Sequence, residues 1–318
     1  MAKYWALRIA AIVVPLIPVW IARPGAWALG LIMWALAPGA RRRAERNLRH
    51  VPGLAMDPVR LHRAVQGVFC HTALNYLDFF RGPHLTNDDL LPSWHIENAD
   101  VYLTAMAQGR GLIMVTGHFG NWELGVSRLG ALGYRMVAPA ERMRPAALFD
   151  LFCRLRDHHG LRLVPADSRD SLREMLDTLK RGELVMFLAD RYVLGASAEV
   201  AVFGEPAKLP TGPFALALKN NVPLMAVFSW RNSVNSFGGR FVPLDVSGTT
   251  DEAEPPGAAP TGTGMATGTS TGAKTATRTR AADATLRTMR VFITELEKMI
   301  EEHPEQWVAA LSPIWDAT

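Results

Sequence analysis

Two kinds of apolar pattern alternate along the chain from about residue 112. Short runs of bulky or β-branched residues at 112–116, 135–138, 161–164, 184–189, 224–228 and 241–246 read as strands. The segments between them carry apolar positions at helical spacing. A run as unbroken as Val185, Met186, Phe187, Leu188 and Ala189 leaves no face for solvent, as expected of a strand covered by helices on both sides. The alternation predicts an α/β fold with a mostly parallel central sheet flanked by helices. In such sheets chemistry collects just past the carboxyl ends of the strands. Upstream, residues 54–108 read as mostly helical, with Leu61, Val65, Val68, Phe69, Leu74, Tyr76, Leu77 and Phe80 spaced to pack on one side. An amphipathic helix from about residue 284 to 302 closes the chain.

The N-terminus follows a different rule. Residues 4–22 are apolar apart from Arg8, and as one helix they would reach roughly 28 Å, about the thickness of a bilayer core. Pro15, Pro18 and Pro24 argue against one straight helix, and the second apolar stretch, 26–37, is too short to span alone. A kinked or re-entrant hairpin lying in the interface is the competing reading. Trp5, Trp20, Trp27 and Trp34 are anchors of the kind an interface favours. Arg41, Arg42, Arg43, Arg46 and Arg49 follow, against Lys3 and Arg8 before, so the positive-inside bias places the rest of the chain on the cytoplasmic side. Residues 1–38 are therefore expected to be a membrane-associated helical anchor and 39–318 the main domain.

Composition narrows this picture only a little. The chain is 49% hydrophobic and 20% charged, and a mean hydropathy of +0.06 is high enough for some apolar surface to meet lipid. A net charge of +4 suits anionic lipid, phosphorylated substrates and nucleic acid alike. No basic-aromatic nucleic-acid module supports the last of these. Cys70 and Cys153, the two cysteines, form no disulfide framework or metal-binding pair, which fits a reducing setting. Residues 247–282 shift to Thr, Gly, Ala and Pro and are expected to be a low-complexity insertion without packed structure. The GxSxG match at 268–272 falls inside it, without the strand and helix a nucleophile elbow needs.

One stretch carries chemistry. Gly109, Arg110 and Gly111 lead into the strand 112–116, which delivers Gly117 and His118, followed by Phe119, Gly120, Asn121, Trp122 and Glu123. Gly120 permits close approach, and Asn121 can cap a helix that carries Glu123. His118 and Glu123 are thereby expected to meet across a strand, turn and helix. Acyl transfer to a hydroxyl needs a base for the hydroxyl proton, and neutral imidazole suits that task near pH 7. A carboxylate on the other ring nitrogen would fix the tautomer.

On these residues the chain resembles the lipid A biosynthesis acyltransferases, of lauroyl and myristoyl transferase type, within the lysophospholipid acyltransferase superfamily. Further matches are Arg43, Arg46, Asn47 and Leu48; Phe203 to Ala207 followed by Thr211, Gly212 and Pro213; and His303 to Trp307. The resemblance implies a glycerolipid acyltransferase-like fold and catalysis by His118 and Glu123 as a His/Glu variant of the HxxxxD motif, with no metal or other cofactor. It implies an acyl carrier protein or coenzyme A thioester as donor and a membrane glycolipid such as a lipid A precursor as acceptor. Location at the cytoplasmic face of the cell membrane follows, the inner membrane in a Gram-negative cell, with no nucleic acid partner. Mycobacterial phosphatidylinositol mannoside acyltransferases look similar, so the acceptor stays open. A lysophospholipid acyltransferase is a further alternative, although the acidic-glycine-threonine-arginine block of those relatives is absent. A hydrolase and a lipid-binding membrane scaffold are the other classes to separate.

The resemblance also marks substrate-binding candidates. Arg142 falls where the family carries a basic residue facing substrate phosphate or the developing oxyanion, with Arg144, Arg154 and Arg156 as competitors nearby. Asp190 matches a family acidic position, but Arg191 follows it where relatives often have Gln. Asn121 and Phe119 complete the set, and Trp122, Phe203 and Phe214 join Phe119 as possible walls of an acyl channel.

Overall fold

The computed structural model describes residues 2–91, 94–193, 195–233, 235–245 and 270–315. Its first part is helical: α1 (Ala2–Val13), α2 (Val19–Leu36), α3 (Pro38–Arg49), α4 (Pro58–Arg81) and the single turn α5 (Asn87–Leu90). Strands and helices then alternate through β1 (Trp94–Glu97), α6 (Ala99–Ala107), β2 (Leu112–Thr116), α7 (Trp122–Ala131), β3 (Met136–Ala140), α8 (Ala146–Asp157), β4 (Leu161–Pro165), α9 (Arg169–Lys180) and β5 (Leu184–Leu188). The hairpin β6 (Ser197–Val202) and β7 (Glu205–Pro210) leads to α10 (Gly212–Asn220), β8 (Leu224–Ser233), β9 (Ser236–Leu244) and α11 (Ser270–Glu302).

Seven strands form one sheet in the order β1-β9-β8-β2-β5-β3-β4. Only β8 and β9 run antiparallel; the other neighbours are parallel. All five residues of β2 are buried, because helices cover both faces of the central strands. On one face Ile113, Val115 and Val185 join Phe214 of α10 and Phe292 and Leu296 of α11. On the other, Met114, Met136 and Met186 pack with Tyr102 of α6 and Val126 and Leu129 of α7. The mostly parallel sheet flanked by helices is the fold the sequence predicts, and all six predicted strands are present.

Two features were not read from the sequence. Strand β1 is short and its residues alternate without a buried run. The β6–β7 hairpin turns at Phe203 and Gly204, both with positive φ (48° and 81°), a conformation usually signalled by Asn-Gly.

The N-terminal segment departs from its expected layout. The break falls at Val14–Leu16 and Pro18, so residues 4–22 are not one helix. Among the described residues, the element long and apolar enough to cross a membrane, by length and composition, is α2, which runs through Pro24. Ala22, Ala26 and Gly30, four apart, are its buried residues, and they lie against α4. A Cβ on Gly30 would sit 2.5 Å from the Cys70 Cα, so α2 and α4 touch backbone to backbone. Most of the rest of α2 faces outward, with Trp20, Ile21, Trp27 and Leu29 among its exposed side chains. Helix α1 packs Tyr4 against Leu148 and Leu151 of α8. Of the expected insertion at 247–282, residues 247–269 lie outside the described residues, while 270–282 belong to α11. Extending an existing helix costs far less than starting one, and Ala, Lys and Arg recur through this stretch.

Candidate active site

Strands β2 and β5 are parallel neighbours in register, Thr116 opposite Leu188. Two residues past that pair come His118 and Asp190, so the pairing sets them side by side beyond the sheet edge. Oδ2 of Asp190 accepts from the His118 backbone N–H at 2.7 Å, and Oδ1 lies 2.8 Å from the ring Nδ1. Gly117 makes room, since a Cβ there would stand 3.1 Å from Asp190 Oδ2 and 3.0 Å from a Leu296 methyl.

Asp190 is buried. Burial alone would raise its carboxyl, but the charge and hydrogen bonds of His118, with the charge of Arg191, outweigh that and hold it below the usual carboxylate range. An ionised carboxylate only accepts, so Asp190 selects a proton on Nδ1 of His118, and in the neutral ring the lone pair is then on Nε2. That is the tautomer a general base requires.

The turn after His118 is built from both ends of the chain. Gly120 has φ +60°, and a Cβ there would lie 1.8 Å from the Ser229 carbonyl oxygen, so only glycine fits. Its N–H donates to the Gln306 carbonyl at 2.8 Å. The Gln306 side chain brackets Arg231, accepting from its N–H and donating to its carbonyl, both at 2.9 Å. Trp307 pairs with Phe119, and Asn47 donates to the Ala310 and Ser312 carbonyls at 2.8 Å. The segment around Gln306 thus packs directly on the turn after His118, and Asn47 holds the stretch that follows it.

Asn121 caps α7, accepting from the Leu124 N–H at 3.1 Å, and donates to Asp78 at 2.7 Å. Both polar ends are spent in the interior and the residue is buried, so it positions α7 rather than touching substrate. Phe119 is buried too, against Phe228 at 6.4 Å between ring centres; it belongs to the core, not to a channel.

Glu123 is in the first turn of α7 but does not reach the His118 ring nitrogen that Asp190 occupies. It is held instead by Arg156 of α8, through Nε at 3.1 Å and through Nη2. Arg156 in turn stands 4.8 Å over Phe79, 5.2 Å over Trp122 and 5.3 Å over Phe152. Burial pushes the Glu123 carboxyl above the usual range, against the pull of Arg156 and His118. The expected His118–Glu123 contact is therefore replaced by two pairs, His118–Asp190 and Arg156–Glu123, flanking one opening.

That opening is a cavity of about 440 Å³ lined by His118, Trp122, Arg156 and Arg191 with Ala138, Leu163, Met175, Met186, Phe187 and Val193 among its apolar walls. Gly212 and Pro213 of the matched 211–213 motif also line it. Arg142 is not among the lining residues; its Nε binds Asp167 at 2.9 Å on the surface. Arg156, one of its competitors, lines the cavity instead, as does Arg191. No group of three or more His, Cys, Asp or Glu among the described residues is arranged to hold a metal ion.

A family model for bacterial lipid A biosynthesis acyltransferases matches residues 1–254. The phosphatidylinositol mannoside acyltransferase of Mycolicibacterium smegmatis is 28% identical over 236 residues, covering 71% of this chain and 76% of that protein. A protein of the same name from Mycobacterium tuberculosis is 28% identical over 128 residues, 40% of each chain. With four fifths of its length matched by that model, the chain belongs to the bacterial lipid A biosynthesis acyltransferase family and is an acyltransferase acting on a lipid.

Proposed function

We propose that the enzyme moves a fatty acyl group from a thioester, of coenzyme A or an acyl carrier protein, directly to a hydroxyl of a membrane glycolipid. The observation that carries this reading is His118, fixed by Asp190 through Nδ1, with its ring on the wall of a mostly apolar cavity. The acyl tail occupies that cavity, and Nε2 of His118 takes the acceptor proton as the oxygen attacks the thioester carbonyl. Asp190 holds the ring and stabilises the imidazolium that forms. Arg156, kept rigid by Glu123 and three aromatic rings, offers positive charge to the oxyanion of the tetrahedral intermediate. Collapse of that intermediate expels the thiolate, and the His118 proton completes the thiol.

The names of the relatives favour a mannosylated phosphatidylinositol as acceptor over a lipid A precursor; lipopolysaccharide synthesis at an inner membrane rests on the family description alone. The exposed tryptophans of α1 and α2 support docking at a membrane surface. Because one flank of α2 is packed along α4, α2 lies in the interface rather than crossing the bilayer.

The test is transfer of a labelled acyl group from its coenzyme A or carrier-protein thioester to phosphatidylinositol mannoside or a lipid A precursor in mixed micelles. A product heavier by one acyl group is expected. Thioester cleavage that proceeds equally well without any acceptor would instead make the protein a hydrolase, and no consumption at all would leave a scaffold.

A further inference from the structure

Two guanidinium groups line the cavity beside His118, and their circumstances differ. Arg156 is committed to Glu123 through two of its nitrogens. Arg191 lines the same cavity yet makes no hydrogen bond or ion pair with a described residue, and its Nε is shut away from solvent without a partner. Asp190, next to it in sequence, does not discharge it, because both carboxylate oxygens are taken up by His118. Asp190 and Arg191 interact through their charges only. The rim around Arg191 offers little competition: Val193, Gly195 and Ala196 from its own loop, and Gly212 and Pro213 at the start of α10, whose first turn holds no acidic residue. The lining's one carboxylate residue, Glu141, forms no ion pair with it. A partly buried guanidinium with an unused donor is costly to keep unless an anion meets it.

We propose that Arg191 is the phosphate-recognising residue of this active site, binding a phosphate ester of one substrate while the acyl carbonyl lies at His118. The proposal rests on the acyltransferase reading above. Among the groups that a thioester donor and a lipid acceptor bring, phosphate esters are anionic at neutral pH and match the planar fork of a guanidinium. Two sources share that chemistry: the pantetheine-linked phosphates of the donor and the phosphodiester of a phosphatidyl headgroup.

The experiment compares wild type, Arg191→Gln and Arg191→Lys, all full length in micelles, on paired substrates. The donor pair is an acyl-coenzyme A and the same acyl group on N-acetylcysteamine, which lacks phosphate. The acceptor pair is a mannosylated phosphatidylinositol and a mannosyl diglyceride. For whichever pair holds the Arg191 ligand, the KM ratio of phosphate-bearing to phosphate-free substrate is expected to rise about tenfold to a hundredfold in Arg191→Gln, the range for a lost charge-assisted hydrogen bond. Lysine recovers part of it. The pair that responds names the source. Unchanged ratios for both pairs, or a displaced pH-rate profile with equal losses on all four substrates, would show that Arg191 merely tunes Asp190 and would overturn the proposal. Should wild type transfer acyl groups to no acceptor, the function reading fails separately. Titration with inorganic phosphate followed by phosphorus NMR then decides Arg191, because binding must be present in wild type and lost in Arg191→Gln.

Discussion

The His118 ring meets Asp190 through one hydrogen bond, and under the proposed mechanism that makes the losses on replacing either residue predictable. His118→Ala is expected to lower kcat about a hundredfold to ten-thousandfold, the range for a positioned base. Asp190→Asn should be nearly as severe. An amide in that place must set its NH₂ against either the His118 backbone N–H, which is also a donor, or Nδ1, which then favours the wrong tautomer. The double variant should be little worse than His118→Ala alone, whereas two independent structural roles would add; steady-state kinetics of the three proteins checks this. His118 was legible in the sequence because strand, glycine, histidine and cap are local. Asp190 was named from the family resemblance as a substrate-binding candidate, but its pairing with His118 was not legible: it lies 72 residues away, and only the pairing of β2 with β5 joins them. Glu123 was a fair expectation on spacing, but the α7 cap turns it toward Arg156, a contact 33 residues distant that no periodicity signals.

At the scale of elements, α4 is where distant parts of the chain meet, and it contains a buried histidine. His71 is packed edge-on against Trp27 of α2, 6.0 Å between rings. Burial, with the charges of Arg231 and His303, lowers it from 6.5 to about 4. The unfolded chain binds a proton there below pH 6.5 while the fold resists it, so stability is full above that value and falls as the pH drops toward 4. That gap corresponds to ~3 kcal/mol. Urea unfolding at pH 7, 5.5 and 4 should show wild type losing about that much more than His71→Gln over the same interval; parallel losses would disprove the assignment. The strands of this fold were legible because burial on both faces leaves unbroken apolar runs. The β6–β7 hairpin was not, since its residues alternate and its turn uses Phe203 in a left-handed conformation. The N-terminal break was legible in its prolines, but its position was not. Pro24 stays inside α2, where packing of Ala22, Ala26 and Gly30 on α4 outweighs one lost hydrogen bond.

For the whole molecule, the same packing changes what the N-terminal segment can do. Residues 1–38 read from sequence as a membrane-associated anchor apart from the main domain, but α1 rests on α8, which carries Arg156, and α2 covers Leu74 and Leu77 of α4. Cutting them away would uncover apolar core and loosen a wall of the cavity, so loss of activity on truncation would say nothing about membranes. Surface substitutions separate the two roles. Trp5, Ile12 and Trp20 are 50%, 61% and 74% exposed, and exchanging them for Ser removes side chains that contribute little to the fold. Each contributes about 1 kcal/mol to partitioning if it enters the interface, less than full burial of a large apolar side chain. The triple variant should therefore bind vesicles containing anionic lipid roughly a hundredfold more weakly, with its melting temperature within a few degrees of wild type. Transfer to glycolipid dispersed in detergent micelles should persist while glycolipid embedded in vesicles is acylated poorly, because the cavity no longer rests at the surface that supplies it. If flotation recovers the triple variant with vesicles as fully as wild type, the apolar face of α1 and α2 is not what holds the enzyme to lipid.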